Sequence, residues 1–181
     1  MIQFINLPAS FTLDNVIIRI LQKRDLPALE WQGEYIHYRK LFAQVFIEAE
    51  NGHAVLWIAE SISVGLIGQA FVQLFSINRT VADGFRRAYI HGVRVKPLYR
   101  NFGLGSLLME KAENDLIMRG FQEVVLNVNK TNYQALSLYE RLGYRILGPD
   151  SGEWSYMDHL GQIHLIKEPA WKMIKTISNN K

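Results

Sequence analysis

Residues 93–105 read Val-Arg-Val-Lys-Pro-Leu-Tyr-Arg-Asn-Phe-Gly-Leu-Gly, and the apolar residues that recur from Leu104 onward predict a helix. The residues before Pro97 predict a strand, so the chain passes here from a strand through a glycine loop into a helix. Glycines allow a tight turn and the close approach of a ligand. The free N–H groups and positive dipole end of a helix N-terminus suit an anion. The stretch therefore predicts a cradle for a phosphate or pyrophosphate.

Basic residues are concentrated around this loop. The chain of 181 residues has 20 Lys and Arg against 17 Asp and Glu, a formal charge of only +3. A local group of five basic residues without an acidic one nevertheless surrounds the loop: Arg86, Arg87, Arg94, Lys96 and Arg100. This distribution favours one phosphorylated ligand at the loop, and the acidic residues that follow argue against a broad nucleic-acid-binding face.

The glycine spacing excludes two common phosphate motifs. No P-loop string ending in Gly-Lys-Ser or Gly-Lys-Thr occurs, and the dinucleotide pattern G-x-G-x-x-G fails because Leu108 stands at the third glycine position. The pattern that remains is R-x-x-G-x-G, from Arg100 to Gly105. By itself, this short pattern fits an ordinary glycine-bearing turn as well as a phosphate site.

A second segment, residues 126–144, reads Leu-Asn-Val-Asn-Lys-Thr-Asn-Tyr-Gln-Ala-Leu-Ser-Leu-Tyr-Glu-Arg-Leu-Gly-Tyr. Asn132 can cap a helix that Gly143 ends. Together with the glycine loop, this segment resembles the GNAT superfamily of N-acetyltransferases, which transfer the acetyl group of acetyl-CoA to an amine. The loop matches the family's Q/R-x-x-G-x-G/A pyrophosphate signature, and the second segment matches its strand–Asn–helix–Tyr signature. The strong match covers about residues 89–147.

The resemblance implies a single GNAT-like α/β (α+β) domain over residues 1–181, with a core at about 14–177 and the cofactor motifs at 89–147. Its sheet would be central, mixed, mostly antiparallel and twisted, flanked by helices, with a splayed parallel strand pair that binds acyl-CoA. Periodicity predicts strands at 16–21, 54–59, 64–75, 88–95, 124–128, 144–147, 154–157, 163–166 and 171–177. Four helices are predicted: one that Asp25 caps, one over residues 35–49, one that begins at Leu104 and one that Asn132 caps. Residues 148–152 are predicted to form a loop.

The resemblance also implies site residues. The backbone of residues 93–95 would contact pantetheine and polarise the thioester carbonyl, and the glycine loop would hold the pyrophosphate. Asn132 would hydrogen-bond the cofactor, and Tyr139 would protonate the leaving thiolate as general acid. Helix capping and core packing are the alternative roles of these two residues. The implied cofactor-binding set is Val93, Arg94, Val95, Arg100, Asn101, Phe102, Gly103, Leu104, Gly105, Ser106 and Asn132.

No carboxylate stands on the predicted splayed strand, where some family members carry the base that deprotonates the amine. His91 is the nearest titratable residue and the candidate catalytic base, and a structural histidine in the sheet is the alternative. Glu48, Glu50 and Asp158 qualify only if folding brings them close.

Aromatic residues mark two regions that fit either an acceptor pocket or the core. Tyr35, Tyr38 and Phe42 recur at helical spacing, and the C-terminal part contains Trp154, Tyr156 and Trp171. The sequence leaves both roles open and does not identify the acceptor.

Composition bounds the remaining functions. The chain has no cysteine, which excludes disulfides, thiolate metal sites and an acyl-cysteine intermediate, so the amine would attack directly in a ternary complex. No apolar run reaches the roughly 20 residues of a membrane span. We therefore expect a cytoplasmic transferase without a metal. Its partners would be acetyl-CoA and a primary amine of a small molecule, peptide or protein. A homodimer is compatible with the sequence. The alternative function is a non-catalytic acyl-CoA-binding module or sensor with the same fold.

Overall fold

The computed structural model describes residues 11–177 as nine strands and three α-helices, with four 3-10 helices. The strands are β1 Val16–Ile20, β2 Ala54–Ser61, β3 Gly65–Gln73, β4 Arg87–Val95, β5 Glu123–Asn129, β6 Arg145–Asp150, β7 Glu153–Met157, β8 Ile163–Lys167 and β9 Ala170–Thr176. The α-helices are α1 Arg39–Glu50, α2 Leu104–Met118 and α3 Tyr133–Arg141. The 3-10 helices are Leu13–Asn15, Lys23–Gly33, Ile36–Tyr38 and Pro97–Tyr99. The two ends of the predicted domain, residues 1–10 and 178–181, lie outside the described residues.

Seven strands form one mixed sheet in the order β1-β2-β3-β4-β5-β9-β6, and β7 pairs with β8 in a separate hairpin. β4 and β5 run parallel and pair only over residues 87–89 and 123–125. Beyond these residues, β4 remains paired with β3, and β5 remains paired with β9. The two strands therefore separate, which confirms the predicted mixed sheet with a splayed parallel pair.

β4 carries a bulge where it leaves β5. Gln69 pairs with Arg94 and Phe71 pairs with His91. Between these two pairs, β4 has two residues where β3 has one. Gly92, inside the bulge, has a φ of +61°, and a Cβ there would lie 3.1 Å from the Phe71 ring. Both the left-handed backbone and the close ring require glycine. The bulge thereby changes the direction of the strand at the splay.

Each face of the sheet has its own hydrophobic core. α2 and α3 cover one face, whereas α1 and the 3-10 helix Lys23–Gly33 cover the other. β2 shows why: Val55 and Trp57 enter the first core, and Leu56 and Ile58 enter the second. Because side chains alternate along a strand, a strand buried on both faces has a continuous apolar sequence.

The helix start predicted at Asp25 is wrong. The segment is a 3-10 helix that begins at Lys23, with Gln22 as its N-cap. The Asp25 carboxylate accepts a hydrogen bond from the Gln22 N–H at 2.8 Å and binds the Arg19 guanidinium at 2.6 and 2.9 Å. Asp25 therefore acts from within the first turn, as the acidic member of a capping box.

Residues 148–150 were predicted as a loop but form the end of β6, so this prediction is also wrong. They pair with residues 170–172 of β9 after an irregularity between Ile146 and Gly148. β6 is an edge strand, where Pro149 needs no N–H partner, and a glycine accommodates the irregularity. The longer strand carries Asp150 toward the splay.

Candidate active site

Two cavities lie beside the splay of β4 and β5. The loop cavity, about 570 Å³, is bounded by the end of β4, the glycine loop, the start of α2 and α3. The aromatic cavity, about 600 Å³, is bounded by α1, the neighbouring faces of β3, β4 and β5, and the ends of β6 and β9. Arg94 borders both cavities. The splay therefore gives two separate ligands access to one region of the sheet.

The loop cavity brings together the residues of the two sequence motifs. Phe102 does not line it, because its ring packs edge to face against Phe11 with centroids 5.2 Å apart. The other predicted cofactor-binding residues do line it: Val93, Arg94, Val95, Arg100, Asn101, Gly103, Leu104, Gly105, Ser106 and Asn132. Tyr139 and Arg141 of α3 also line it.

The start of α2 suits an anion. Gly103 precedes the helix with a φ of +85°, and no side chain caps the helix. The N–H groups of Leu104, Gly105 and Ser106 therefore have no carbonyl partner one turn earlier. Free amides and the positive end of the helix dipole together bind phosphate groups well. The residues present fit the pyrophosphate of a coenzyme.

The five basic residues near the loop do not act together. Only Arg94 and Arg100 border the loop cavity. Arg86 and Arg87 instead bind Glu123 at 3.1 and 2.9 Å. They stand at the start of β4, and a strand rises roughly 3.3 Å per residue, so they are far from the loop. The prediction of one five-residue phosphate patch is wrong, whereas Arg141 adds a cation that sequence proximity did not reveal.

Asn132 and Tyr139 both have the structural roles considered for them and also line the loop cavity. The Asn132 side chain accepts a hydrogen bond from the Ala135 N–H at 3.1 Å and caps α3. Tyr139 is buried, and its ring meets that of Tyr144 edge to face at 5.9 Å. Burial raises the pKa of Tyr139 to about 12, and the nearby Tyr89 contributes to the increase. The phenol is therefore protonated near neutral pH and can donate a proton into the cavity.

The aromatic cavity has an apolar wall and a charged rim. Tyr38, Phe42 and Trp154, three of the aromatic residues left open by the sequence, line it together with Phe71. Its acidic members, Asp150, Glu153 and Glu168, were not found from the sequence. They stand where strands begin or end around β6 and β9, and only the pairing of the sheet brings them together.

His91 lies in the wall of the aromatic cavity, stacked on Tyr89 with centroids 5.5 Å apart. Burial and, after it, the charge of Arg94 lower the pKa of His91 to about 4. The ring is therefore neutral near pH 7 and can accept a hydrogen bond. The other carboxylates considered as bases are elsewhere: Glu48 contacts His53 at 3.1 Å, Asp158 contacts His164 at 2.7 Å, and Glu50 lines neither cavity.

We expect His91 to make folding stability depend on pH. Its pKa of about 4 lies below the ordinary 6.5, so the unfolded chain binds the proton at a higher pH. This contribution to stability is fully present above pH 6.5 and is lost as the pH falls toward 4, and the loss reaches about 2 kcal/mol at pH 5. In urea unfolding at pH 7 and pH 5, His91→Gln should therefore lose less stability than the wild type. An equal loss in both proteins would contradict the burial of a neutral ring.

Gln69 is a further site residue that the sequence did not suggest. It is fully buried, and its Nε2 donates a hydrogen bond to the Gly92 carbonyl at 3.2 Å. Its Oε1 has no hydrogen-bond partner among the described residues. The side chain fastens the β4 bulge to β3, so it helps to set the position of the splay.

Neither a metal site nor a membrane helix is found within residues 11–177. No group of three or more His, Asp or Glu side chains is placed to hold a metal ion, and no helix is long and apolar enough to cross a membrane.

Comparison with known proteins points to one family. The model of the family described as Acetyltransferase (GNAT) family matches residues 19–144, more than half of the chain. The chain is 30% identical over 137 residues to the ribosomal protein bS18-alanine N-acetyltransferase of Salmonella typhimurium, a match covering 70% of this chain and 79% of that protein. The crystal structure of the ribosomal-protein-S18-alanine N-acetyltransferase from Escherichia coli superimposes with a TM-score of 0.67 at 23% identity, covering 92% of this chain and 96% of that one. Arabidopsis thaliana NAA60 in complex with acetyl-CoA superimposes with a TM-score of 0.65 at 20% identity, covering 90% and 98%.

Proposed function

The chain belongs to the GNAT acetyltransferase family, and we propose that it transfers the acetyl group of acetyl-CoA to the N-terminal α-amine of a polypeptide. It is an N-acetyltransferase that uses acetyl-CoA and a primary amine. The finer choice of a polypeptide terminus is supported by the Salmonella relative, whose name specifies the alanine of a ribosomal protein.

One observation carries the proposal: the loop cavity and the aromatic cavity lie beside the same splay and share Arg94. The first offers free helix-terminal amides to a pyrophosphate. The second is roomy, partly apolar and bordered by carboxylates that attract an ammonium group. A donor and an acceptor bound in these cavities can meet without either displacing the other, as direct transfer in a ternary complex requires.

Acetyl-CoA supplies the acetyl group as a thioester, so the amine nitrogen forms the new bond to the carbonyl carbon while the carbon–sulfur bond breaks. The free edge of β4 at residues 93–95 offers backbone N–H groups that stabilise the negative charge developing on the carbonyl oxygen. The neutral Tyr139 phenol donates the proton that the departing sulfur takes up. The neutral His91 ring, on the acceptor side, accepts a hydrogen bond from the amine or from a water molecule, and the amine proton passes to water because the pKa of His91 is about 4.

The proposal is tested by incubating the protein with acetyl-CoA and a peptide that has a free α-amine, followed by thiol titration and mass spectrometry. We expect release of one thiol for each acetyl group added to the terminus. A matched peptide with a blocked terminus and a free lysine is the control, and equal acetylation of both would overturn the choice of the α-amine. A protein that only senses acyl-CoA would bind it and release no thiol with any amine.

We also propose that the chain forms a homodimer through the outer face of the β7–β8 hairpin. Met157 pairs with Ile163 on this face, and the neighbouring Leu165 is 83% exposed. Glu153 and Lys167 lie on the same face, 2.9 Å apart, so a two-fold related copy would present complementary charges. Sedimentation should give a dimer that Leu165→Glu converts to a monomer; a wild-type monomer at high concentration would contradict the proposal. The cytoplasmic location also stays a prediction.

A further inference from the structure

The guanidinium of Arg94, a residue of β4, lies over two tyrosine rings. Arg94 stands on β4 just after the bulge, and its guanidinium carbon lies 4.3 Å from the Tyr35 ring centroid and 5.0 Å from that of Tyr38. These rings belong to the segment that covers the aromatic cavity, so the side chain extends across the acceptor side of the sheet. The two cation–π contacts hold the guanidinium in a defined position in the cavity wall.

No carboxylate among residues 11–177 lies within 4 Å of the Arg94 guanidinium, whereas Arg19, Arg39 and Arg87 each have such a partner. Arg94 is partly buried, so it has lost some of its hydration. A partly dehydrated cation with no anionic partner is costly unless a ligand supplies the anion. The aromatic stacking offsets part of that cost and leaves the edge of the planar group able to form hydrogen bonds.

The charge of Arg94 also acts on the interior of the cavity. It lowers the pKa of both His91 and His37, in each case after the larger effect of burial. The carboxylate of Asp150 stands on β6, three strands away, and strands lie about 4.8 Å apart. The cavity thus combines a cation on β4 with carboxylates around the ends of β6 and β9.

From this arrangement we propose that the acceptor carries a carboxylate within a few bonds of its reacting amine, and that Arg94 binds this carboxylate. The inference rests on the proposed function, because it specifies the acceptor of the same site. Arg94 borders both cavities, so the carboxylate it binds must be near the amine and not further along the acceptor. The planar guanidinium suits a carboxylate through paired hydrogen bonds. An acidic first residue of a polypeptide and a free amino acid share this chemistry.

A purely structural role for Arg94 makes a different prediction. If the guanidinium only held Tyr35 and Tyr38 over the sheet, its loss would impair every acceptor by the same factor. If it binds the acceptor, its loss impairs acidic acceptors selectively. The ratio of kcat/KM for two matched acceptors separates the two roles, since any general damage to folding or to acetyl-CoA binding cancels in that ratio.

The test uses two peptides that differ only in Glu or Gln as the first residue, together with free glutamate. For the wild type, we expect kcat/KM to be at least about tenfold higher for the Glu peptide, the size of one charge-assisted interaction. Arg94→Gln should bring the ratio close to one, and Arg94→Lys should leave an intermediate ratio because lysine lacks the planar fork. Arg86→Gln, which removes the same charge outside both cavities, should keep the wild-type ratio.

A wild-type ratio near one, or an unchanged ratio in Arg94→Gln, would overturn the inference while acetylation of the Gln peptide still supported the proposed function. Absence of acetylation of either peptide, with acetylation of free glutamate that depends on Arg94, would support the inference and reject the polypeptide as acceptor. Acetylation of none of the three would reject both proposals.

Discussion

Tyr139→Phe is expected to lower kcat about 10²- to 10⁴-fold, the usual contribution of a positioned proton donor. The phenol lies in the wall of the loop cavity, and its pKa of about 12 keeps it protonated near pH 7. Phenylalanine preserves the buried ring and its edge-to-face contact with Tyr144. The substitution therefore removes the proton donor and keeps the packing.

Two measurements separate this catalytic role from a structural one. Binding of acetyl-CoA, measured by calorimetry, should change little in Tyr139→Phe, because the proton is needed only when sulfur leaves. Tyr133→Phe is the matched control on the same helix, since Tyr133 is 73% exposed and does not line the loop cavity. A wild-type kcat in Tyr139→Phe would show that Tyr139 belongs only to the core and that sulfur takes its proton from solvent.

The residues that line the loop cavity could be predicted largely from the sequence because their determinants are local. A glycine loop before a helix and an asparagine cap before another helix are each defined within a few residues. Their side chains and amides then lie in one cavity, as the loop cavity shows. Phe102 is the exception, since its ring turns toward Phe11, a partner too distant in sequence for the motif to indicate.

The acceptor side could not be predicted in the same way because it is assembled from distant segments. Asp150 comes from the part of β6 that is predicted as a loop, and Arg94 faces rings that precede it by more than fifty residues. The register of β3 and β4 decides that Gln69 and Arg94 are neighbours. A local charge count placed Arg94 with Arg86 and Arg87, although the length of β4 separates them.

Beneath Tyr139, a buried polar group joins α2, β9 and the turn that precedes β6. Glu113 of α2 is 8% exposed, accepts a hydrogen bond from the Tyr144 hydroxyl at 2.8 Å and forms an ion pair with Lys175 of β9. Burial, followed by the nearby Glu113 carboxylate, raises the pKa of Tyr144 well above its ordinary value. The Tyr144 hydroxyl thus stays a hydrogen-bond donor, and its ring supports that of Tyr139.

Glu113→Ala is expected to lower the free energy of unfolding by about 3 kcal/mol, because it leaves the buried Tyr144 hydroxyl and the Lys175 ammonium without their partner. The value lies at the lower end of the range for buried pairs, since Lys175 is partly exposed and water can reach it. Urea unfolding at pH 7 measures the loss. Glu110→Ala, an exposed position on the same helix, should stay within about 0.5 kcal/mol of the wild type. Equal effects of the two substitutions would mean that the network contributes nothing beyond ordinary helix propensity, and that Tyr139 is held by apolar packing alone.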